Sequence, residues 1–240
     1  MGNQEQATHG LGRVLCLIPA RGGSKRIPNK NTKVFGGKAI LQYSIDAAFD
    51  CGLFDEIVVS TDSPQIAKVA EELGASTPFV RPDEAASDTA TTAEVIAHAL
   101  DWFEAIGQKW NIVCCLYPTA PFCRPESLIA GYRLLVDREV PAVLPVTEFA
   151  YPIQRSLKVK DDGSVVMNWP EYEVTRSQDL PHAYHDAGQF YWLQVKSFRD
   201  NPCLMPAGTL PLFLPRHEVV DIDTPEDWDF AERLFKSNQQ

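Results

Sequence analysis

The chain has 240 residues, of which 45% are hydrophobic and 22% charged, and this balance is typical of a globular protein with a full core. Its net charge of −10 argues against a nucleic-acid partner, because proteins that bind nucleic acid usually carry a basic face. No apolar run approaches the ~20 residues that a membrane-spanning helix needs. We therefore expect neither nucleic acid nor a membrane among its partners.

The N-terminus and the cysteines indicate the cellular compartment. The N-terminus is too polar for a signal peptide, and we expect residues 1–12 to form a disordered extension ahead of a single domain spanning residues 13–240. The six cysteines include no Cys-x-x-Cys pair, so reduced thiols are favoured over disulfides or a zinc site. Both features predict a cytoplasmic protein.

The first predicted strand, 14–18, ends in a loop rich in glycine and basic residues. The strand is a short apolar run that suits burial on both faces of a sheet. The loop has a Gly-Gly pair that lets a ligand approach the backbone, and its basic residues are Arg21, Lys25, Arg26 and Lys30. Its spacing matches neither Walker A nor G-x-G-x-x-G. Its position predicts a polyphosphate site, although a solvated basic turn has the same composition.

Strands and helices then alternate along the chain. Helical spacing of apolar residues covers 39–49, and a buried strand at 56–62 precedes a helix that ends near Gly74. The next helix carries a capping box, with Glu94 three residues after Thr91. A third buried strand, a helix and a fourth strand follow at 111–116, 128–136 and 142–145. This alternation predicts βαβ units and a parallel sheet.

Residues 147–187 interrupt this rhythm. Short strands at 154–159 and 165–167, joined by an Asp-Asp-Gly turn, predict a β-hairpin. A hairpin of this kind is marginally stable alone, so we expect this excursion to pack against a second subunit. The chain then returns to the main sheet at 189–195, and an irregular proline-rich segment follows. A strand ending at Ile222 is expected to lead into a helix that begins at Pro225.

Two aspartates precede this last helix. Asp221 and Asp223 are spaced by two residues, which places both carboxylates on one side of an extended segment. Mg²⁺ typically takes one or two carboxylates and completes its shell with phosphates and water. Taken alone, the segment is more typical of a helix N-terminus capped by Asp223. Together with the basic loop, it favours a metal site.

Five motifs occur in order along the chain: IPARGGSKRIPNKN, VVSTD, RPDEAASDTATT, LYPTAPF and VDIDTPED. In these motifs the chain resembles, over about 14–235, the CMP-sialic acid synthetase family of cytidylyltransferases, which activate nine-carbon 2-keto sugar acids. Within that family, LYPTAPF and RSQDLPHAYHDAGQFYW look like the pseudaminic acid branch. Sialic acid enzymes typically have LQPTSP and an NGAIY-like segment instead. Tyr117 and residues 185–188 therefore point away from sialic acid as the substrate.

The resemblance implies an α/β fold: a Rossmann-like, three-layer αβα nucleotidyltransferase domain with a mostly parallel central sheet. It implies a homodimer, with the β-hairpin excursion at 147–187 serving dimerisation and reaching toward the neighbouring active site. It also implies Mg²⁺ as cofactor and, as substrates, CTP and a nine-carbon 2-keto sugar acid, which the motifs indicate to be pseudaminic acid. The implied reaction transfers CMP to the anomeric hydroxyl and releases pyrophosphate.

Site residues carry over from the matching motifs. The resemblance implies nucleotide binding by Arg21, Lys25, Asn31, Arg81, Ala90 and Thr92. It implies sugar-acid binding by Tyr117, Arg176, Gln178, His185 and Tyr191. Asp221 and Asp223 match metal-binding aspartates. We expect Arg21 and Lys25 to stabilise the departing pyrophosphate, and either Asp223 or a metal-bound hydroxide to take the hydroxyl proton.

Two alternatives stay open. Within the same enzyme class, the substrate is sialic or legionaminic acid instead. In a different class, the chain is a non-catalytic nucleotide-binding regulatory protein that keeps the fold. The simultaneous presence of Arg21, Lys25, Asp221 and Asp223 argues against the regulatory protein, because a binder has less need of both the loop cations and the carboxylate pair.

Overall fold

A computed structural model describes residues 12–87 and 89–238 of the chain. Of the extension predicted at 1–12, all but Gly12 lies outside the described residues. The helices are α1 (Ile40–Cys51), α2 (Pro64–Glu72), α3 (Asp83–Ala86), α4 (Thr92–Ala105), α5 (Pro125–Asp137), α6 (Val195–Asp200) and α7 (Pro225–Asn238). The strands are β1 (Val14–Pro19), β2 (Val34–Phe35), β3 (Lys38–Ala39), β4 (Glu56–Ser60), β5 (Ile112–Leu116), β6 (Ala142–Glu148), β7 (Leu157–Val159), β8 (Val165–Met167), β9 (Tyr184–Asp186), β10 (Phe190–Gln194) and β11 (Leu210–Phe213).

The predicted parallel sheet is confirmed. Within the described ranges, seven strands form it in the order β11-β6-β10-β5-β1-β4, and β9 pairs with β6. Strands β4, β1, β5, β6 and β11 run in one direction, whereas β10 is antiparallel to both β5 and β6. Strand β1 lies between β4 and β5, and its residues from Val14 to Ile18 are fully buried, as their apolar run predicted.

Helices cover both faces of this sheet and produce the three αβα layers. Because side chains alternate along a strand, Cys16 of β1 packs toward α1, α2 and α5, whereas Leu17 packs toward α4 and α6. In the part of the chain that the structure describes, no helix is long and apolar enough to cross a membrane.

A third apolar cluster joins the segment after β1 to the C-terminal helix α7. Phe35 of β2 is fully buried, and its ring centroid lies 5.4 Å from that of Trp228 and 5.3 Å from that of Phe235. Ile222 is buried in the same cluster. Edge-on aromatic pairs add about 0.5–1.5 kcal/mol each to the area that they bury. The cluster thereby holds the two ends of the chain side by side.

Two strand predictions were wrong. Residues 219–224 form no strand: β11 is the edge strand beside β6, and Ile222 buries its side chain in the loop–helix cluster instead of a sheet. The proline-rich segment, predicted to be irregular, contains β11. Pro211 is tolerated there because β11 lies at the sheet edge, where a strand needs hydrogen bonds on one side alone.

The β-hairpin in the excursion is confirmed as a structural element. Strands β7 and β8 pair with Leu157 opposite Met167. The first strand starts later than predicted, because Ile153–Arg155 forms a 3-10 turn. The excursion rejoins the main sheet through β9, which pairs with the outer end of β6.

The cysteines provide a test of how tightly the core around the main sheet is packed. All six lie within the described residues as free thiols, and all except Cys203 are buried. Burial raises the pKa of Cys51 to about 11 and that of Cys115 to about 12, so at about pH 8 both stay neutral, whereas labelling needs the thiolate. We predict that a thiol reagent labels Cys203 alone in the native protein and all six cysteines after denaturation, as counted by mass spectrometry. Native labelling of Cys115 would contradict the packing of β5.

Candidate active site

A cavity of about 430 Å³ opens where β1 and β5 end. Carboxyl ends of parallel strands are the usual ligand sites of open α/β sheets. The cavity lining contains every residue predicted to bind the nucleotide, together with two of the other predicted site residues: Arg21, Lys25, Asn31, Arg81, Ala90, Thr92, Tyr117 and Asp223. The structure therefore brings together residues that lie far apart in the sequence.

Backbone-directed hydrogen bonds fix the loop after β1. The N–H of Gly22 donates to Oδ1 of Asp62 at 2.8 Å, and a Cβ at position 22 would lie 3.0 Å from Cβ of Ser63. A side chain at position 22 would press against Ser63, so glycine eases the close approach of the loop to the end of β4. Nδ2 of Asn31 donates to the carbonyl oxygen of Arg21 at 2.9 Å, and Asn31 is buried. Asn31 thus lines the cavity and also holds the shape of the loop.

The cavity is strongly basic in a chain whose net charge is −10. Its charged lining residues are Arg21, Lys25, Arg26, Lys30, Arg81 and Asp223. Asp223 faces the loop: its Oδ2 lies 2.9 Å from the guanidinium of Arg26, and its Oδ1 lies 3.4 Å from Nζ of Lys30. Nζ of Lys30 also donates to the carbonyl oxygen of Ile222 at 2.7 Å. This surplus of positive charge suits a polyphosphate.

Arg81 supplies a buried cation at the cavity wall. It is 4% exposed, and its Nε donates to Oγ of Ser60 at 3.0 Å while its terminal nitrogen donates to the Ser60 carbonyl oxygen. Burial lowers the pKa of Arg81 to about 10, with Asp62 opposing that shift, so the guanidinium stays charged at neutral pH. Two hydrogen bonds to acceptors of one residue, Ser60, fix the orientation of the guanidinium.

The N-terminus of α4 forms another wall. The predicted capping box is confirmed: Oγ1 of Thr91 accepts from the N–H of Glu94 at 3.2 Å, and Oε2 of Glu94 accepts from the N–H of Thr91 at 2.6 Å. Ala90 and Thr92 flank this cap and line the cavity. A helix N-terminus presents positive partial charge, which adds to the basic field.

Tyr117 closes the cavity at the end of β5. Its N–H donates to the carbonyl oxygen of Gln189 at 2.8 Å, and its own carbonyl oxygen accepts from Oγ of Ser44 at 2.7 Å. Its hydroxyl lies 3.0 Å from Oγ1 of Thr92. Tyr191 lies behind it, buried, with the two ring centroids 5.5 Å apart. Tyr191 therefore supports Tyr117 rather than lining the cavity itself.

The remaining residues predicted on the sugar side lie outside the cavity lining. Arg176 is exposed and pairs with Asp179 at 2.7 Å. Gln178 lines a separate cavity of about 250 Å³, which also includes His182. His185 lies in β9, with its ring against that of Phe149. All three predicted residues belong to the excursion, which joins the sheet at β6, so their sugar-side roles stay predictions.

Asp221 lies beside Gly188, just outside the lining. Reduced solvation raises its pKa, and the neighbouring Asp223 carboxylate raises it further, while Lys30 opposes the shift. Two carboxylates close enough to repel each other favour a cation between them. Among the described residues, no group of three or more His, Cys, Asp or Glu side chains could hold a metal. Two carboxylates are as many as Mg²⁺ typically takes from a protein, with phosphates and water completing its shell, and the metal role of Asp221 and Asp223 stays a prediction.

Sequence reasoning missed three residues of this site. Arg26 and Lys30 were noticed as basic residues but not paired with Asp223, and Asp62 was not assigned the role of orienting Gly22. A signal for Asp62 was available. It ends the VVSTD motif at the carboxyl end of β4, which pairs with β1, so the two motifs meet at one edge of the sheet.

Replacing the guanidinium of Arg81 tests its fixed orientation. In Arg81→Lys, the ammonium keeps the charge but cannot make both bonds to Ser60, so we expect the free energy of unfolding in urea to fall by about 2 kcal/mol. The matched control is Arg133→Lys, at an exposed arginine of α5, with an expected change below about 0.5 kcal/mol. Equal small changes in both variants would contradict the structural role of Arg81.

Known proteins give independent information on this site. The chain matches the family model for cytidylyltransferases over residues 15–240. It is 40% identical to the pseudaminic acid cytidylyltransferase of Campylobacter jejuni subsp. jejuni, over 94% of this chain and 97% of that protein. It is 34% identical to the CMP-N,N'-diacetyllegionaminic acid synthase of Legionella pneumophila subsp. pneumophila, over 95% of this chain and 98% of that protein.

A solved structure also shares the fold. The chain superposes on CMP:2-keto-3-deoxy-manno-octonic acid synthetase complexed with CTP with a TM-score of 0.68 at 15% identity, over 95% of this chain and 100% of that one. This likeness supports the three-layer architecture. With the family match over nearly the whole length and the cavity at the ends of β1 and β5, the conclusion is that this chain belongs to the cytidylyltransferase family.

Proposed function

We propose that this cytidylyltransferase transfers CMP from CTP to the anomeric hydroxyl of pseudaminic acid, releasing pyrophosphate. The observation that carries the proposal is the basic cavity where β1 and β5 end, lined by all residues predicted to bind the nucleotide. The name of the 40% identical relative supports the choice of acceptor. The 34% identical synthase supports legionaminic acid as a second candidate acceptor.

The nucleotide half of the proposal follows from charge. Arg21 and Lys25 line the cavity, and a bound triphosphate would neutralise their positive charge. Nucleotidyl transfer depends mainly on positioning and charge neutralisation. Arg81 and the N-terminus of α4, with Ala90 and Thr92, form the wall that would take the cytidine. Because the Arg81 guanidinium is buried and bonded, it offers a rigid contact rather than a flexible one.

In the chemical step, the chain's own residues would stabilise the leaving group, accept the hydroxyl proton and hold the metal. The 2-hydroxyl oxygen bonds to the α-phosphorus of CTP, and the bond from that phosphorus to the pyrophosphate oxygen breaks. Arg21 and Lys25 stabilise the negative charge on the leaving pyrophosphate. The hydroxyl proton passes to the carboxylate of Asp223. Mg²⁺ held by Asp221 and Asp223 would supply further positive charge to the phosphates.

The acceptor half requires residues that lie outside this cavity. We propose a homodimer in which the excursion of one protomer brings Arg176, Gln178 and His185 to the sugar side of its partner's site. The excursion carries exposed apolar side chains, and a surface of this kind marks an interface. These side chains include Tyr151, Leu157, Val159, Val165 and Val174. We place the enzyme in the cytoplasm, where free thiols persist.

Pyrophosphate release tests the reaction. With CTP and Mg²⁺, we expect release with pseudaminic acid and much less with legionaminic acid or N-acetylneuraminic acid, each assayed separately. Faster release with legionaminic acid would assign the second candidate acceptor. Absence of release with all three would contradict the proposed acceptor class.

Variants of the same site test the assigned roles. Asp221→Asn, Asp223→Asn and Lys25→Ala should each lower kcat by about 100-fold or more, because each removes charge used in the transition state. Melting temperatures should stay close to wild type, since these side chains lie at the polar rim of the site. Asp50→Asn and Lys68→Ala, at exposed positions on α1 and α2, are the matched controls. An unchanged rate in both aspartate variants would contradict the metal role.

The dimer has its own test. The wild-type chain should sediment at twice its mass of 26.8 kDa, whereas Val159→Asp/Val165→Asp should sediment as a monomer, because it places charge on the exposed apolar face of the hairpin. Val34→Asp, at an exposed valine outside the excursion, is the control and should remain a dimer. A monomeric wild-type chain would contradict the shared site.

A further inference from the structure

Two of the residues predicted to bind the sugar acid lie on a segment with little regular structure of its own. Residues 173–181 contain a single 3-10 turn, Ser177–Asp179, before the chain reaches β9. The segment carries both Arg176 and Gln178. A short turn fixes local conformation but not the place of the segment on the protein, so that place depends on contacts with other parts of the chain.

Arg155 makes such a contact at the start of the segment. It ends a 3-10 turn two residues before β7. One terminal nitrogen of its guanidinium donates to the carbonyl oxygen of Glu173 at 3.0 Å, and the other donates to the carbonyl oxygen of Thr175. The planar guanidinium can bond to both acceptors at once because its donors have fixed directions. Arg155 therefore holds the backbone immediately before Arg176.

Gln154 makes the matching contact at the far end of the segment. Its side chain is 7% exposed, and its Nε2 donates to the carbonyl oxygen of Pro181 at 3.2 Å. Leu180, next to Pro181 in the chain, is also buried and adds an apolar anchor. Two consecutive residues, Gln154 and Arg155, thus bind the two ends of residues 173–181, and we call this pair the clamp.

The turn between the two ends places Arg176 and Gln178 together. The N–H of Asp179 donates to the carbonyl oxygen of Arg176 at 2.9 Å, and the Asp179 carboxylate accepts from Nε of Arg176 at 2.7 Å. Gln178, inside the same turn, lines the separate cavity of about 250 Å³. Because the turn is a single bonded unit, its place follows from the backbone that the clamp holds.

We propose that Arg155, assisted by Gln154, is a positioning residue for the acceptor sugar acid, and that it acts through the backbone of residues 173–181 on Arg176 and Gln178. The inference rests on the proposed function, which gives these two residues their sugar-side role. A guanidinium and an amide suit the carboxylate and hydroxyls of a sugar acid. Neither clamp residue lines the nucleotide cavity, so loosening the clamp affects the sugar acid selectively.

Replacing the guanidinium of Arg155 tests this selectivity. Arg155→Lys keeps the charge but cannot bond to both carbonyl oxygens, so we expect KM for pseudaminic acid to rise about fivefold and KM for CTP to change less than about twofold. Lys158→Met, at an exposed residue of β7 in the same excursion, is the matched control and should change neither constant. An unchanged KM for the sugar acid in Arg155→Lys, or an equal rise in KM for CTP, would overturn the proposal.

Trypsin reports on the clamp without any turnover. It cleaves after exposed arginines such as Arg176, and cleavage requires the chain to open locally. We expect Arg155→Lys to be cut after Arg176 several times faster than the wild-type chain, as followed by mass spectrometry, and Lys158→Met to be cut at the wild-type rate. Equal rates in Arg155→Lys and the wild-type chain would overturn the clamp.

A combined variant separates positioning from general damage. In Arg176→Ala/Gln178→Ala the clamp has neither side chain left to place, so adding Arg155→Lys should raise KM for the sugar acid no further. Additive losses would overturn the proposal while leaving the cytidylyltransferase reaction intact. Failure of the wild-type chain to release pyrophosphate with any sugar acid would instead overturn the proposed function, and the sugar-side role of the clamp with it.

Discussion

The geometry of the site depends on the contact between the loop after β1 and the segment before α7. Lys30 and Asp223 are separated by 193 positions in the chain yet lie 3.4 Å apart, and Arg26 reaches the same carboxylate. Half-exposed ion pairs of this kind contribute about 0–1 kcal/mol each, so they cannot hold the two ends together alone. The buried cluster of Phe35, Trp228 and Phe235 supplies that attachment, because aromatic burial is worth several times more. The ion pairs then fix how the loop after β1 is aligned with the segment before α7.

Local patterns were sufficient for the elements whose causes are local. The apolar run of β1 and the capping box at Thr91 are determined by neighbouring residues, and both were predicted correctly. The errors arose where a distant element decides the outcome. Pro211 argues against a strand, and the strand is possible only because β11 pairs with β6 on one side and, among the described strands, has none on the other. Ile222 was assigned to a strand, although it is buried by an aromatic cluster instead. Neither partner is visible in the local sequence.

The same distinction applies to the site. The nucleotide-side residues were named from motifs. They meet because the first motif follows β1 at the sheet edge where β5 also ends, while Ala90 and Thr92 flank the N-terminus of α4, which forms the facing wall. Motifs did not give the partners of those residues. The Tyr191 hydroxyl donates a hydrogen bond to Asp186 because β9 pairs with β6 while β10 lies between β6 and β5, a relationship of register that no spacing encodes. The positions of chemistry-bearing residues were therefore easier to predict than the bonds that orient them.

The ion pairs of Asp223 support the proposal that the reaction uses a divalent cation. In the described structure its carboxylate pairs with Arg26 and Lys30, the cations that also line the proposed phosphate site. A triphosphate entering the cavity would compete with Asp223 for these cations, and phosphate and carboxylate would repel each other at short range. Asp221, whose pKa is already raised in part by Asp223, adds to that repulsion. A Mg²⁺ ion shared by the carboxylates and the phosphates would replace this repulsion with attraction, and it would leave Arg26 and Lys30 available to the triphosphate.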